Sequence, residues 1–297
     1  MSTRTQHPAR WRDVLITALA PVLWGSTYIV TTELLPADRP FTAALIRTVP
    51  AGLLLLAFAW RLPERALWGR LLVLSALNIG AFQALLFVAA YRLPGGLAAV
   101  LGAIQPLLVM LLAWRVDGES PARPAVWAAV AGVLGMAVLL LTPGIGFEPV
   151  GIAAALIGAL CMATGVWLTR RWRPALPLLP LTGWQLLLGG LMLLPLALVV
   201  DPPLPRLTVV QFGGYLYLCL AGALLAYALW FRGIARLSPV AVASLGLLSP
   251  VTAVVLGWVL LSEAMSVTAL VGLATVLASV LVVQRSMAPS GRDSCTQ

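Results

Sequence analysis

The stretch RLPGGLAAVLGAIQPLLVMLLAWRVDGE, residues 92–119, lies without a gap on RLSPVAVASLGLLSPVTAVVLGWVLLSE, residues 236–263. Identities fall at Arg92/Arg236, Leu93/Leu237, Ala99/Ala243, Leu101/Leu245, Gly102/Gly246, Pro106/Pro250, Leu112/Leu256, Trp114/Trp258 and Glu119/Glu263, all at an offset of 144 in a chain of 297 residues. A constant offset close to half the chain length marks a duplication, and both copies are apolar enough to cross a bilayer. Internal duplication in a membrane chain points to a secondary transporter, whose halves move against each other around a shared site.

The rest of the chain has the same character. Mean hydropathy is +0.99, and charged residues make up 10% of the chain, against about a quarter in soluble domains. Read for runs of roughly 20 apolar residues, the sequence predicts spans near 14–33, 41–60, 71–91, 95–115, 125–141, 150–169, 178–200, 209–231, 239–261 and 267–284. The expected fold is an all-α integral membrane protein with about ten transmembrane helices in two inverted five-helix repeats. A tail (1–13) precedes the first repeat (14–141). A connecting loop (142–149), containing the turn Thr142-Pro143-Gly144-Ile145-Gly146, leads to the second repeat (150–284) and a C-terminal tail (285–297). Because five is odd, the second copy enters the membrane from the opposite side to the first.

The net charge of +9 would suggest nucleic acid in a soluble chain. Here the arginines report topology instead. All 19 basic residues are arginine. Threaded through ten spans, fifteen fall on the side of the termini, three (Arg39, Arg92 and Arg206) on the other, and Arg47 within a span. This positive-inside bias places both termini in the cytoplasm of a bacterial cell whose inner membrane the chain crosses, with the lipid bilayer and not nucleic acid as its partner. Arginines before an apolar run that ends in Ala18-Leu19-Ala20 resemble a cleaved signal. Pro21 and continued hydrophobicity to Val30 argue for a retained first span. Cys161, Cys219 and Cys295 are spaced for neither a disulfide framework nor a metal site.

The strongest local signal is a pair of mid-span prolines. Pro106 and Pro250 each remove a backbone donor and free the carbonyl four residues earlier, at Gly102 and Gly246. These are either structural kinks or cavity-lining hinges, and the recurrence of Gly-x₃-Pro in both copies favours the hinge. In the first span Trp24, Thr27, Tyr28 and Thr31 share one helix face. Asn78, Gln83 and Gln105 place amides inside spans, as interhelical bonds or as substrate contacts. Trp167, Tyr227 and Trp230 offer an aromatic wall in the second half. Arg47 is expected to pair with Glu33 near the outer mouth, in preference to holding a substrate carboxylate.

Catalytic sets are absent from the sequence. The single histidine, His7, sits in the tail, there is no P-loop, and no carboxylate pair shares a buried face. No metal or cofactor is expected. No Asp or Glu lies mid-span to balance an organic cation, so the expected substrate is a small neutral, zwitterionic or weakly charged molecule with an apolar or aromatic part.

Leu23-Trp24-Gly25-Ser26, Arg47 opening a Leu- and Ala-rich run, and the repeated Leu-to-Pro-to-Glu block together resemble the drug/metabolite transporter superfamily, in particular its EamA-type ten-helix exporters. The opening LAPVLWGSTYIVTTELLP at 19–36 is similar to the branch that exports pigments and metabolites. The resemblance implies a basket of ten helices around a central cavity, and efflux of small metabolites by alternating access without nucleotide hydrolysis. Monomer and homodimer are both compatible with it. The competing reading is a non-transporting membrane scaffold or sensor, in which the repeated Gly and Pro serve packing alone.

Overall fold

The structure, a computed structural model, describes residues 6–93, 95–140, 148–261 and 266–287. Ten helices in this region are long and apolar enough to cross a membrane. They are α1 (Arg10–Leu34), α2 (Pro40–Phe58), α3 (Arg65–Ala89), α4 (Leu97–Asp117), α5 (Arg123–Leu140), α6 (Pro149–Trp172), α7 (Leu178–Val199), α8 (Val209–Arg236), α9 (Pro239–Leu260) and α10 (Val267–Ser286). No strand occurs among the described residues. Lipid offers the backbone no hydrogen bonds, so a spanning segment must satisfy its own N–H and C=O groups, as a helix does. The Thr142–Gly146 turn, Glu263 and Cys295 lie outside the described residues.

Local chemistry sets the helix starts. Pro40, Pro149 and Pro239 occupy first-turn positions, where a missing N–H leaves no bond unmade. The side chains of Ser238 and Ser266 accept from the N–H groups of Ala241 and Ala269 at 3.3 and 3.1 Å. Thr208 and Gln211 form a reciprocal capping box at the start of α8. Phe58, Trp127, Leu198 and Val209 are each more than 70% exposed. Bulky apolar groups turned outward in this way form a lipid-facing surface.

Packing follows the duplication. Helix α1 packs on α8 and α9, and its repeat counterpart α6 packs on α3 and α4, the counterparts of those two. Two pairs of repeat mates, α2 with α7 and α5 with α10, pack directly on each other. Both contacts are built on glycine. A Cβ added at Gly52 would lie 2.6 Å from the Leu187 nitrogen and 2.8 Å from the Gly183 oxygen. A Cβ at Gly272 would lie 2.7 Å from the Gly135 oxygen. Close approach of this kind replaces the hydrophobic driving force that lipid cannot supply. Arg10 Nη2 donates to the Gln284 carbonyl at 2.6 Å, which puts the start of α1 beside the end of α10, as an even number of crossings requires.

Four departures from α geometry fall at repeat-related places, whereas a π turn at Ala113–Asp117 and a break at Leu193 have no counterpart in the other repeat. A π-helical turn spans Ala76–Gly80 in α3 and another spans Leu220–Leu225 in α8, their starts separated by the same 144 residues. Helix α4 breaks between Gly102 and Gln105, and α9 breaks between Leu245 and Leu248. The expected interruptions at the two Gly-x₃-Pro sequences are therefore present, one residue out of step between the repeats. The Gly246 carbonyl accepts from the Ser249 N–H at 3.1 Å and is not freed. Beyond Gly102 the N–H groups of Leu107 and Leu108 both turn to the Ile104 carbonyl.

The glycine contacts predict an unequal response to one methyl group. Gly52→Ala should lower the thermal midpoint of the purified protein, by an overpacking cost of about 1–3 kcal/mol. Gly213→Ala, where an added Cβ meets nothing within 4 Å, should leave the midpoint unchanged or raise it. Equal midpoints for the two variants would contradict the packing assignment.

Candidate substrate cavity

A cavity of about 640 Å³ lies between the halves. Its walls come from both repeats: α1, α2, α3, α4, α6, α8 and α9 all contribute. Its floor is made by Trp24, Gln105, Trp230 and Gly246, and it extends along α1 to the Leu35–Pro40 connection. The opening is on the membrane side opposite Arg10 and Gln284.

Trp24 organises the floor. Its Nε1–H donates to the Gly222 carbonyl at 3.0 Å, within the π turn of α8. Its ring packs at a tilt on Tyr227 and on Trp230, with centroids 5.0 and 5.1 Å away. Gln83 donates to the Tyr227 hydroxyl at 3.1 Å. These two residues are themselves 144 apart, so each is the other's repeat mate. Two equivalent residues can touch only near the axis that relates them, which places this bond close to the pseudo-twofold. The Arg47 guanidinium lies over the Tyr227 ring, 5.9 Å from its centroid.

Many of the residues singled out in the sequence meet at this cavity. Trp24, Thr27, Tyr28, Gln83, Gln105, Tyr227 and Trp230 line it, as do Gly102, Gly246 and Pro250. Pro106 is buried and does not line it.

Three expectations are corrected. Asn78 is buried away from the cavity and donates to Gln185 Oε1 at 2.8 Å and to Thr169 Oγ1 at 3.2 Å, which makes it a clamp joining α3, α6 and α7. Trp167 lies toward the termini side, where its Nε1–H donates to Asp117 Oδ2 at 2.6 Å and Arg171 covers its ring. Glu33 does not pair with Arg47. The carboxylate is exposed and accepts from Thr32 at 3.3 Å, whereas Arg47 faces the cavity. The cause is helical phase: Thr31 lines the cavity, and Glu33, two residues on, points about 200° round the helix.

The sequence reading also missed one wall. Ala155, Gly158, Ala159 and Met162 line the cavity from α6. Their i, i+3, i+4, i+7 spacing repeats that of Trp24, Thr27, Tyr28 and Thr31 in α1. The repeated stripe was the available signal, hidden because Ala155, Gly158 and Ala159 are small.

The termini side is bound together. Asp117 pairs with Arg171, Asp13 pairs with Arg232 at 2.5 Å and Arg236 at 3.5 Å, and Arg170 Nη1 donates to the Ala235 carbonyl at 2.6 Å. These contacts tie α1, α4, α6 and α8 across the two repeats. A second cavity of about 700 Å³ on this side, lined by Asp117, Glu119, Arg170 and Arg171 among others, shares no lining residue with the first.

Two inverted five-helix halves around a cavity open to one side and shut from the other define a multi-pass membrane transporter. The EamA-like transporter family model matches residues 11–141 and again residues 149–285, and the chain belongs to that family. It is 44% identical to Protein PecM of Dickeya dadantii (strain 3937), over 89% of this chain and 90% of that one. It is 28% identical to the uncharacterized inner membrane transporter YedA of Escherichia coli (strain K12), over 88% of this chain and 87% of the other. A protein of known crystal structure superimposes with a TM-score of 0.77 at 21% identity, covering 93% of this chain and 97% of its own; that likeness concerns the fold alone.

The two buried amides are expected to separate by role. Asn78→Ala should cost about 1 kcal/mol of stability and leave transport per folded molecule unchanged. Gln83→Ala should reduce transport per folded molecule. Thermal midpoints together with flux in reconstituted vesicles measure both, and loss of flux in Asn78→Ala at normal stability would reverse the assignment.

Proposed function

We propose that this protein exports a small metabolite across the bacterial inner membrane by alternating access, with both termini in the cytoplasm. The observation that carries the reading is the cavity between inverted halves, open on one side and separated from the other by contacts between the repeats. The fifteen-to-three arginine split supports the orientation, and on that reading the conformation is the outward-facing one. Reaching the opposite state requires Asp117–Arg171 and Asp13–Arg232 to part while the helices around Tyr28 and Arg39 close.

Aromatic rings, small residues and amides line the cavity, and among the described residues no carboxylate lies at its depth. This supports a neutral, zwitterionic or weakly charged solute with an apolar or aromatic part, of amino-acid-like or pigment-related size. The interruptions at Gly102-x₃-Pro106 and Gly246-x₃-Pro250 are the proposed hinges. Broken helices are tolerated in lipid where they face protein or a wet cavity, and Gly102, Gly246 and Pro250 do face it.

Two experiments test the reading. A periplasm-active reporter fused after Gln297 should be inactive, and robust activity would overturn the orientation. Untargeted comparison of culture medium with and without the gene should reveal a released metabolite. Its export per folded molecule should fall in Pro106→Ala and Pro250→Ala while their thermal midpoints hold or rise. Unchanged medium would favour a membrane scaffold or sensor, and full export by both single variants and the double variant would remove the hinge role.

A further inference from the structure

Arg47 lies seven residues into α2, about 10 Å along the helix from the mouth at Pro40. A guanidinium at that depth is costly unless it is paired or wet. The ion pairs among the described residues are Arg92–Glu148, Arg171–Asp117, Arg232–Asp13 and Arg236–Asp13; none involves Arg47. Its Nε is buried without a hydrogen-bond partner, its plane rests over Tyr227, and the side chain lines the cavity. The other charged lining residues, Asp38 and Arg39, lie at the mouth, where Arg39 donates to the carbonyls of Ala37 at 2.6 Å and Pro203 at 3.2 Å. At depth the cavity therefore has one cation and, among the described residues, no anion.

The other unsatisfied groups have the same bias. Arg47 Nε, Gln105 Nε2 and Trp230 Nε1 are buried donors without partners, against one acceptor, Gln83 Oε1. All four residues line this cavity. An excess of donors beside an uncompensated guanidinium suits a ligand rich in acceptor oxygens and carrying negative charge.

We propose that Arg47 anchors a carboxylate of the transported solute, which is a small monocarboxylate with an aromatic or planar apolar body. One guanidinium matches one carboxylate in charge and in its paired oxygens. A phosphate monoester carries nearly two charges at neutral pH and would leave one uncompensated. The apolar body fits against Trp24, Phe82, Met162 and Trp230. Should the solute be a zwitterion, its ammonium faces Gln83 Oε1, a buried acceptor without a partner. The anchor rests on Tyr227, whose bond to Gln83 joins the two halves, so occupancy is felt where they meet. This inference rests on the transport reading of the cavity.

The test is binding of four probes that share a ring and differ in head group, measured calorimetrically on the purified full-length protein. Phenylacetate should bind at least tenfold more tightly than phenylacetamide, a difference of about 1.4 kcal/mol, and phenethylamine and phenyl phosphate should be weaker than phenylacetate. Arg47→Gln should abolish the preference for the acid over the amide, and Arg47→Lys, which keeps the charge, should retain part of it. Gel filtration establishes the folded state of each variant, and the wild-type ranking decides the matter even if Arg47→Gln does not fold. Equal affinity for acid and amide, tighter binding of the amine or the phosphate, no phenylacetate binding, or a preference that survives in folded Arg47→Gln each overturns the proposal. Counterflow in reconstituted vesicles separates the two readings. A wild type that releases a metabolite yet ignores the carboxylate overturns the anchor alone, whereas Arg47-dependent binding with neither flux nor metabolite release overturns transport.

Discussion

Lipid offers the backbone no hydrogen-bond partner, and everything else in this molecule follows from that. Ten segments become helices because no other open structure satisfies its own polar groups in hydrocarbon. The same constraint makes each departure from α geometry informative. The π turns in α3 and α8 and the breaks in α4 and α9 lie inside the bundle. Residues beside all four, including Gln83, Tyr227, Gly102 and Gly246, line the cavity. At these four repeat-related places the irregular backbone lies where protein or water can receive it.

Duplication supplies the second organising principle. Repeat mates α2 and α7, and likewise α5 and α10, meet through glycines that pack against the backbone and against Thr48, Leu56, Thr275 and Ser279 of the facing helix. Closer to the axis the pairing becomes chemical, with Gln83 on Tyr227. The duplicated ancestor is no longer symmetric there: an amide faces a phenol, and a bulky stripe in α1 faces small residues in α6. Asymmetry at the axis turns a symmetric shell into a site with a defined orientation for its solute.

Charge divides by depth. At the termini side, arginines pair with Asp13 and Asp117 and tie helices of opposite repeats together. Asp117–Arg171 and Asp13–Arg236 each have a half-exposed arginine, and pairs of this type are individually weak. Arg47 differs in having no carboxylate among the described residues and a cavity in front of it. The same residue type is paired at the surface and without a carboxylate at depth, and the difference is one of surroundings.

The sequence by itself determined the membrane class, the ten spans, the duplication and the two Gly-x₃-Pro interruptions, because those depend on apolar run length, a constant offset and proline, all local or countable. It also placed Trp24, Thr27 and Tyr28 on one face, since helical period is local. What only the tertiary structure decided was which faces meet. Asn78, Gln83 and Gln105 are alike in sequence, yet one clamps three helices and the other two line the cavity, because the rotation of each helix about its axis is set by distant neighbours. Glu33 and Arg47 are near in sequence and opposite in charge, yet the turn of α1 points one to the exterior and the packing of α2 on α8 points the other inward. The Gly102 and Gly246 carbonyls have the same sequence context of Gly-x₃-Pro. Only the folded backbone, through the Ser249 N–H, decided that the Gly246 carbonyl is satisfied despite the proline four residues on.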